Sequence, residues 1–245
     1  MKAFKRIPKA IFALVLITAI FAGAFGAQAV FGEPARAAWR SEVQIPAEII
    51  FQQSADAVFL LEMFDRQGDT VRTGSGFFIS KEGLAVTNLH VIQNAASATI
   101  TLYNGDVYPV RGVHAMSEAY NLCIISIDSD ENDWDFLPLA NSDRIEAGNS
   151  VYSIGSPLGY VNTMSAGIVA NANRDVDGER FIQFTAPISF GSGGSPVLDA
   201  LGRVVGVASS SFSYGQKLNL AVPINYVGTM RPGESVSLDS LLGNE

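Results

Sequence analysis

Between about Ala57 and Val227 the chain alternates short apolar runs, rich in Val, Ile, Phe and Thr, with clusters of Gly, Asn, Asp and Pro. Runs of this length and composition, bounded by turn residues, read as β-strands. The pattern predicts strands near 57–64, 74–80, 84–87, 98–103, 106–114, 122–127, 150–154, 164–170, 180–185, 196–199, 203–210 and 217–222. Asn104-Gly105-Asp106 and Asp177-Gly178 are hairpin signals, because these residues accept positive φ. About twelve short strands suit two small closed barrels, with a division near 130–140, where Asp128 to Asp135 is acidic and polar. Ala47 to Ala57 reads as a short helix with Ile49, Ile50 and Phe51 apolar. The expected layout is a linker over 30–47, barrel one over about 48–133 and barrel two over about 134–228. A tail follows at 229–245, of which Glu234 to Glu245 is expected to be exposed or to fray as a helix. No repeat of 20–50 residues is evident.

The N-terminus has a different pattern. Lys2, Lys5, Arg6 and Lys9 precede an apolar run from Ala10 to about Phe25, and Ala27-Gln28-Ala29 offers small residues for cleavage. This is the three-part form of a secretory signal over residues 1–29. The apolar stretch to Phe31 is also long enough for an uncleaved anchor helix. Either reading puts the folded part outside the cytoplasm, secreted or anchored by this segment. No cysteine lies near Ala29, so the lipid-attachment signal is excluded.

Without residues 1–29 the chain keeps 12 of its 16 Lys+Arg and all 24 Asp+Glu, a net charge of −12. That balance argues against nucleic acid and anionic lipid as partners. Cys123, the single cysteine, excludes an intramolecular disulfide and sits in an apolar run. No His/Cys/acid grouping has metal-ligand spacing, and no Gly-Lys-Ser/Thr phosphate loop follows the Gly-rich stretches. No metal and no cofactor is expected.

Three segments carry candidate chemistry. Residues 73–80 read Thr-Gly-Ser-Gly-Phe-Phe-Ile-Ser, and 83–92 read Gly-Leu-Ala-Val-Thr-Asn-Leu-His-Val-Ile. Residues 186–197 read Ala-Pro-Ile-Ser-Phe-Gly-Ser-Gly-Gly-Ser-Pro-Val, followed by Gly-Arg-Val-Val-Gly-Val at 202–207. Gly155-Ser156-Pro157-Leu158-Gly159 and the stretch from Asn162 to Val169 form the third. Together they resemble the trypsin-like serine protease superfamily, in particular bacterial HtrA-like peptidase domains, over about residues 48–228. The resemblance implies an all-β, chymotrypsin-like fold of two six-stranded antiparallel barrels, preceded by the signal or anchor helix. The PDZ domain that follows in HtrA proteins has no counterpart in the 18 residues after Val227.

Acyl transfer by serine requires a nucleophile, a histidine base, a carboxylate that orients it, and two amides for the oxyanion. The resemblance puts His90 at the base. His114 has no such context and reads as a strand surface residue. Asn121, in Tyr120-Asn121-Leu122-Cys123, takes the aspartate's place, keeping its shape without its charge. Laid without a gap, the nucleophile position falls on Gly193, which has no side chain to attack with. Ser192 becomes an alternative nucleophile only if one residue is deleted before it and one inserted before Pro196. Ser195 falls on a position where relatives carry Gly or Ser.

Gly191 and Gly193 can still supply oxyanion amides, since those donors are backbone groups. Pro187, at the primary-specificity position, implies a small apolar pocket rather than one for Arg or Lys, and Phe190 is placed to fill part of it. Ala208, Ser209 and Ser210 correspond to the strand along which an extended substrate adds. The leading expectation is a secreted pseudoprotease that binds extended peptides or unfolded segments without efficient hydrolysis. The alternatives are a serine endopeptidase using Ser192 and His90, and a non-catalytic structural or partner-binding module.

Overall fold

A computed structural model describes residues 44–209 and 219–242. The signal or anchor and most of the linker, Ser210, and the last three residues lie outside the described residues. Among the described residues no helix is long and apolar enough to cross a membrane.

Helix α1 (Ala47–Ser54) runs into a 3-10 turn (Ala55–Ala57), and twelve strands follow. The first six are β1 (Val58–Phe64), β2 (Thr70–Phe78), β3 (Leu84–Asn88), β4 (Ser97–Thr101), β5 (Val107–Ser117) and β6 (Leu122–Ile127). They close as an antiparallel barrel in the order β1-β2-β3-β6-β5-β4. The second barrel contains β7 (Ser150–Gly155), β8 (Thr163–Val176), β9 (Glu179–Phe184), β10 (Pro196–Leu198), β11 (Val204–Ser209) and β12 (Asn219–Pro223). Its order is β10-β11-β12-β9-β8-β7. Asp177 and Gly178, at φ +55° and +87°, turn β8 into β9 as a hairpin with two left-handed central residues.

The period of two along each strand explains three cores rather than two. On β2, Phe78 fills the interior of barrel one while Phe77 faces the other way into a core shared by both barrels. Ala85 and Val86 on β3, and Ile125 and Ile124 on β6, divide in the same manner. In barrel two, Val205 and Ala208 face inward, and Val204 and Val207 join the shared core. These strands therefore bury both faces and read as continuous apolar runs. Cys123 is buried in the first barrel, where loss of water pushes its thiol pKa up to about 12 and keeps it protonated.

The connection between the barrels is pinned at both ends. Trp134 stacks on Phe78 with ring centroids 4.8 Å apart, and the Leu137 N–H donates to the Phe78 carbonyl at 3.0 Å. Further on, the Ala140 N–H donates to Val204 at 2.8 Å.

The tail departs from the exposed segment that its polar sequence suggests. It runs back over barrel one, where Val236 and Val113 exchange backbone hydrogen bonds at 2.8 and 2.9 Å. The short helix α3 (Leu238–Leu241) follows, with Leu238 only 4% exposed among the interior residues of barrel one. His114 is part of this attachment rather than a plain surface residue. Its Nδ1 lies 2.8 Å from the Gly233 carbonyl and its Nε2 2.9 Å from Ser126 Oγ. A few apolar residues in a polar tail, Val236 and Leu238 among them, were the sequence signal, and their meaning depends on a strand more than a hundred residues away. Leu238→Ala should lower stability by about 2–4 kcal/mol, the range for truncating a buried leucine. Urea unfolding measures this, and a change within about 0.5 kcal/mol, as at an exposed position, would show the tail to be unattached.

Candidate active site

The site is assembled where β2 and β3 of barrel one meet the turn that precedes β10 in barrel two. Ser75, fully buried on β2, is the joint. Its N–H donates to the Gly193 carbonyl at 2.8 Å and its hydroxyl donates to the Gly191 carbonyl at 2.8 Å. The same hydroxyl accepts the Ser156 N–H at 2.9 Å, and the Ser75 carbonyl accepts Thr87 Oγ1–H at 2.7 Å. The neighbouring residue is Gly74 because the turns crowd there. A Cβ at Gly74 would stand 2.4 Å from Val91 Cγ1 and 3.4 Å from the Gly193 oxygen. Val91, the residue after His90, and Gly193 thus flank one backbone position.

His90 lies on a one-turn helix, α2 (Leu89–Ile92), that begins where β3 ends. Asn121 clamps this turn. Its carbonyl accepts the Leu89 N–H and Asn88 Nδ2–H, each at 3.1 Å, and its side-chain Oδ1 accepts the His90 N–H at 2.9 Å. Asn121 has φ +51°, a left-handed conformation that Asn and Asp tolerate better than other non-glycine residues. Arg72 Nη1 donates to the carbonyl of His90, capping the turn from β2.

The distances around Asn121 favour one imidazole tautomer. A backbone N–H can only donate, so the amide oxygen of Asn121 is fixed on the His90 N–H side. Its nitrogen is then the nearer atom to His90 Nδ1, at 2.8 Å against 3.2 Å for Oδ1. Nδ2 therefore donates to Nδ1, and the neutral ring carries its own proton on Nε2. A carboxylate in the same place accepts from Nδ1–H and leaves Nε2 as the base. Among the described residues, Nε2 has no hydrogen-bond partner. The His90 pKa lies below its ordinary 6.5, chiefly because burial disfavours the charged ring, and the Arg72 charge lowers it further.

Most backbone groups of the turn over 189–195 are pinned. The Phe190 carbonyl accepts the Leu158 N–H at 2.8 Å, and the Ser192 carbonyl accepts the Ser195 N–H at 3.1 Å. In a trans peptide the N–H points opposite the C=O. The N–H groups of Gly191 and Gly193 are therefore turned away from these contacts, and neither meets an acceptor among the described residues. Gly191 has φ +89°, and a Cβ there would meet the Ser156 oxygen at 2.7 Å, so only glycine fits. Gly194 is also left-handed at φ +88°, while Gly193 is outside that region.

The remaining predicted site residues are placed as follows. Ser192 is 4% exposed, and its Oγ lies 3.3 Å from the Ser189 N–H, facing its own turn. Ser195 is fully buried, and its hydroxyl has no partner among the described residues. Pro187 is exposed. Phe190 does not fill a pocket: it is 85% exposed, because its carbonyl is tied to Leu158 and its side chain is left on the rim. Ala208 cannot pair with a peptide, since its N–H donates to Ser195 at 2.8 Å and its carbonyl accepts the Gly194 N–H at 2.9 Å. Ser209 ends β11 opposite Leu220, buried, with Oγ unpartnered; Ser210 lies outside the described residues. Ser75, Thr87 and Arg72 were not singled out from sequence. A buried hydroxyl residue between two glycines of β2 was the available signal for Ser75.

A double barrel with a histidine turn facing a glycine-rich turn defines the chymotrypsin-like class of serine-protease scaffolds. Residues 74–207 match the family described as "Trypsin-like peptidase domain", and the chain belongs to that family. It is similar to a "Probable periplasmic serine endoprotease DegP-like" of Chlamydia trachomatis, with 35% identity over 152 residues, 60% of this chain and 30% of that protein. It is also similar to "Serine protease HTR4" of Rattus norvegicus, 32% identical over 71% of this chain and 37% of that protein. The chain thus spans about a third of the length of these curated relatives. The crystal structure of the serine endoprotease from Yersinia pestis shares the fold with a TM-score of 0.66. The match has 22% identity and covers 82% of this chain and 68% of that one.

Asn121→Asp should reverse the electrostatics of the histidine, because an adjacent carboxylate favours the imidazolium. The His90 ring should titrate below 6.5 in the native protein and above that in the variant, read by NMR of the ring protons. In the native protein the unfolded chain takes up this proton first. Stability from this group is thus complete above about pH 6.5 and falls as pH drops toward the folded pKa.

Proposed function

We propose that this chain is an extracytoplasmic trypsin-like pseudoprotease, which keeps the peptidase scaffold and binds extended peptide segments without efficient hydrolysis. One observation carries the reading: Gly193 occupies the residue whose carbonyl takes the Ser75 N–H, between the left-handed Gly191 and Gly194. That placement supports the gap-free register, in which the attacking position has no hydroxyl. The orientation of Ser192 toward the Ser189 N–H counts against it as a substitute nucleophile. Asn121 adds a second impediment, since a base holding its proton on Nε2 cannot accept one from a nucleophile; in the triad this change lowers turnover by about 10⁴-fold. Gly191 and Gly193 are the amides of the oxyanion site, with His90 beside them. The extracytoplasmic location rests on the leader pattern of residues 1–29 and on the periplasmic relative.

The mature chain should neither hydrolyse a mixed peptide library nor be labelled by a fluorophosphonate. Labelling that is lost in Ser192→Ala would establish the endopeptidase alternative in its place. Gly193 has a backbone conformation open to serine, so Asn121→Asp combined with Gly193→Ser should introduce measurable hydrolysis that His90→Ala abolishes. A well-folded double variant with no activity would show that the scaffold has lost more than these two groups.

A further inference from the structure

We infer that the substituted site is a receptor for a terminal carboxylate, so that the peptides it binds are held by a free C-terminus. This rests on the proposed loss of the nucleophile and names the ligand class for the same site. In an active triad the groups around the reacting carbon are mixed: a hydroxyl to attack, an imidazole nitrogen to accept its proton, and a buried carboxylate behind it. Here each has changed in one direction. Gly193 removes the hydroxyl and the volume it would fill. Asn121 removes the negative charge, and by donating to Nδ1 it makes His90 Nε2 a donor. The Gly191 and Gly193 N–H groups remain donors without acceptors among the described residues. Arg72, bonded to the carbonyl of His90, contributes the nearby cation.

A cluster of donors with no acceptor and no fixed anion is matched by a ligand that only accepts. A peptide carbonyl offers one neutral oxygen. A terminal carboxylate offers two oxygens and a charge, one for the paired glycine amides and one for His90 Nε2–H. Hydrogen bonds to an ionised acceptor are about twice as strong as those to a neutral one, and backbone amides in a turn are a recurrent means of capturing a C-terminal carboxylate. The net charge of −12 without the leader argues that the rest of the peptide is neutral or basic, with the terminal carboxylate as its essential anion.

The experiment compares acetylated hexapeptides of mixed uncharged sequence ending in alanine, made as free acids and as C-terminal amides, by calorimetry on the full mature chain. The free acids should bind about tenfold or more tightly than the amides. Their addition should shift the amide NMR signals of Gly191 and Gly193 and the His90 Nε2 resonance. At a pH above the variant's raised His90 pKa, where the neutral ring turns its proton from Nδ1 to the new carboxylate, Asn121→Asp should weaken the acids about tenfold. Equal binding of acids and amides, or acid binding untouched by Asn121→Asp with no shift at the two glycines, would overturn the inference. Hydrolysis of the amides during the titration would instead overturn the pseudoprotease reading, so the two failures are distinguishable.

Discussion

The site depends on the contact that Ser75 makes across the two barrels. A strand residue ordinarily gives its N–H and C=O to its ladder. Ser75 gives its N–H to Gly193, its hydroxyl proton to Gly191 and its hydroxyl lone pair to Ser156. Two segments of barrel two, the 189–195 turn and Ser156, are thereby referenced to one residue of barrel one. The contact is fully buried, so each group released from it would lack water to replace its partner, which makes it more stringent than its number of bonds suggests. The shared apolar core below it, with Phe77, Val86 and Val207, holds the barrels in contact, and Ser75 sets the positions of the turns.

That division explains which parts were legible in the sequence. All twelve strands could be read because each buries a face and is closed by Gly, Asn, Asp or Pro. The boundaries differ mainly where strands bend. β2 begins at Thr70 and β8 runs to Val176, both through exposed polar residues that look like loop. The Asp177-Gly178 turn was legible because its chemistry is local. The tail was not: Leu238 is buried only because β5 bulges at Gly112 and Val113 to receive Val236.

The candidate site was legible by analogy and incomplete by geometry. Motifs located His90, Asn121 and the glycine turn. They could not show that Ala208 gives both backbone groups to the turn, or that Phe190 stands on the rim, because both follow from hydrogen bonds to residues distant in sequence. The direction of the Asn121 amide was equally out of reach. It depends on which backbone donor faces the side chain, and that donor is the N–H of His90 itself.

In the proposed reading the consequences of Asn121 and Gly193 are coupled through the His90 ring. A histidine that donates from Nε2 has no use for a hydroxyl that needs to lose a proton, and a site without that hydroxyl has no imidazolium for a carboxylate to stabilise. Either change alone leaves a buried site with mismatched donors and acceptors. The two together give a consistent set: Asn121 donates to Nδ1, and Nε2 and the Gly191 and Gly193 amides have no partner among the described residues. A buried polar network is stable when all its groups can be satisfied at once. Here the outward donors are left for solvent or a ligand, and that is the physical basis of the proposed binding role.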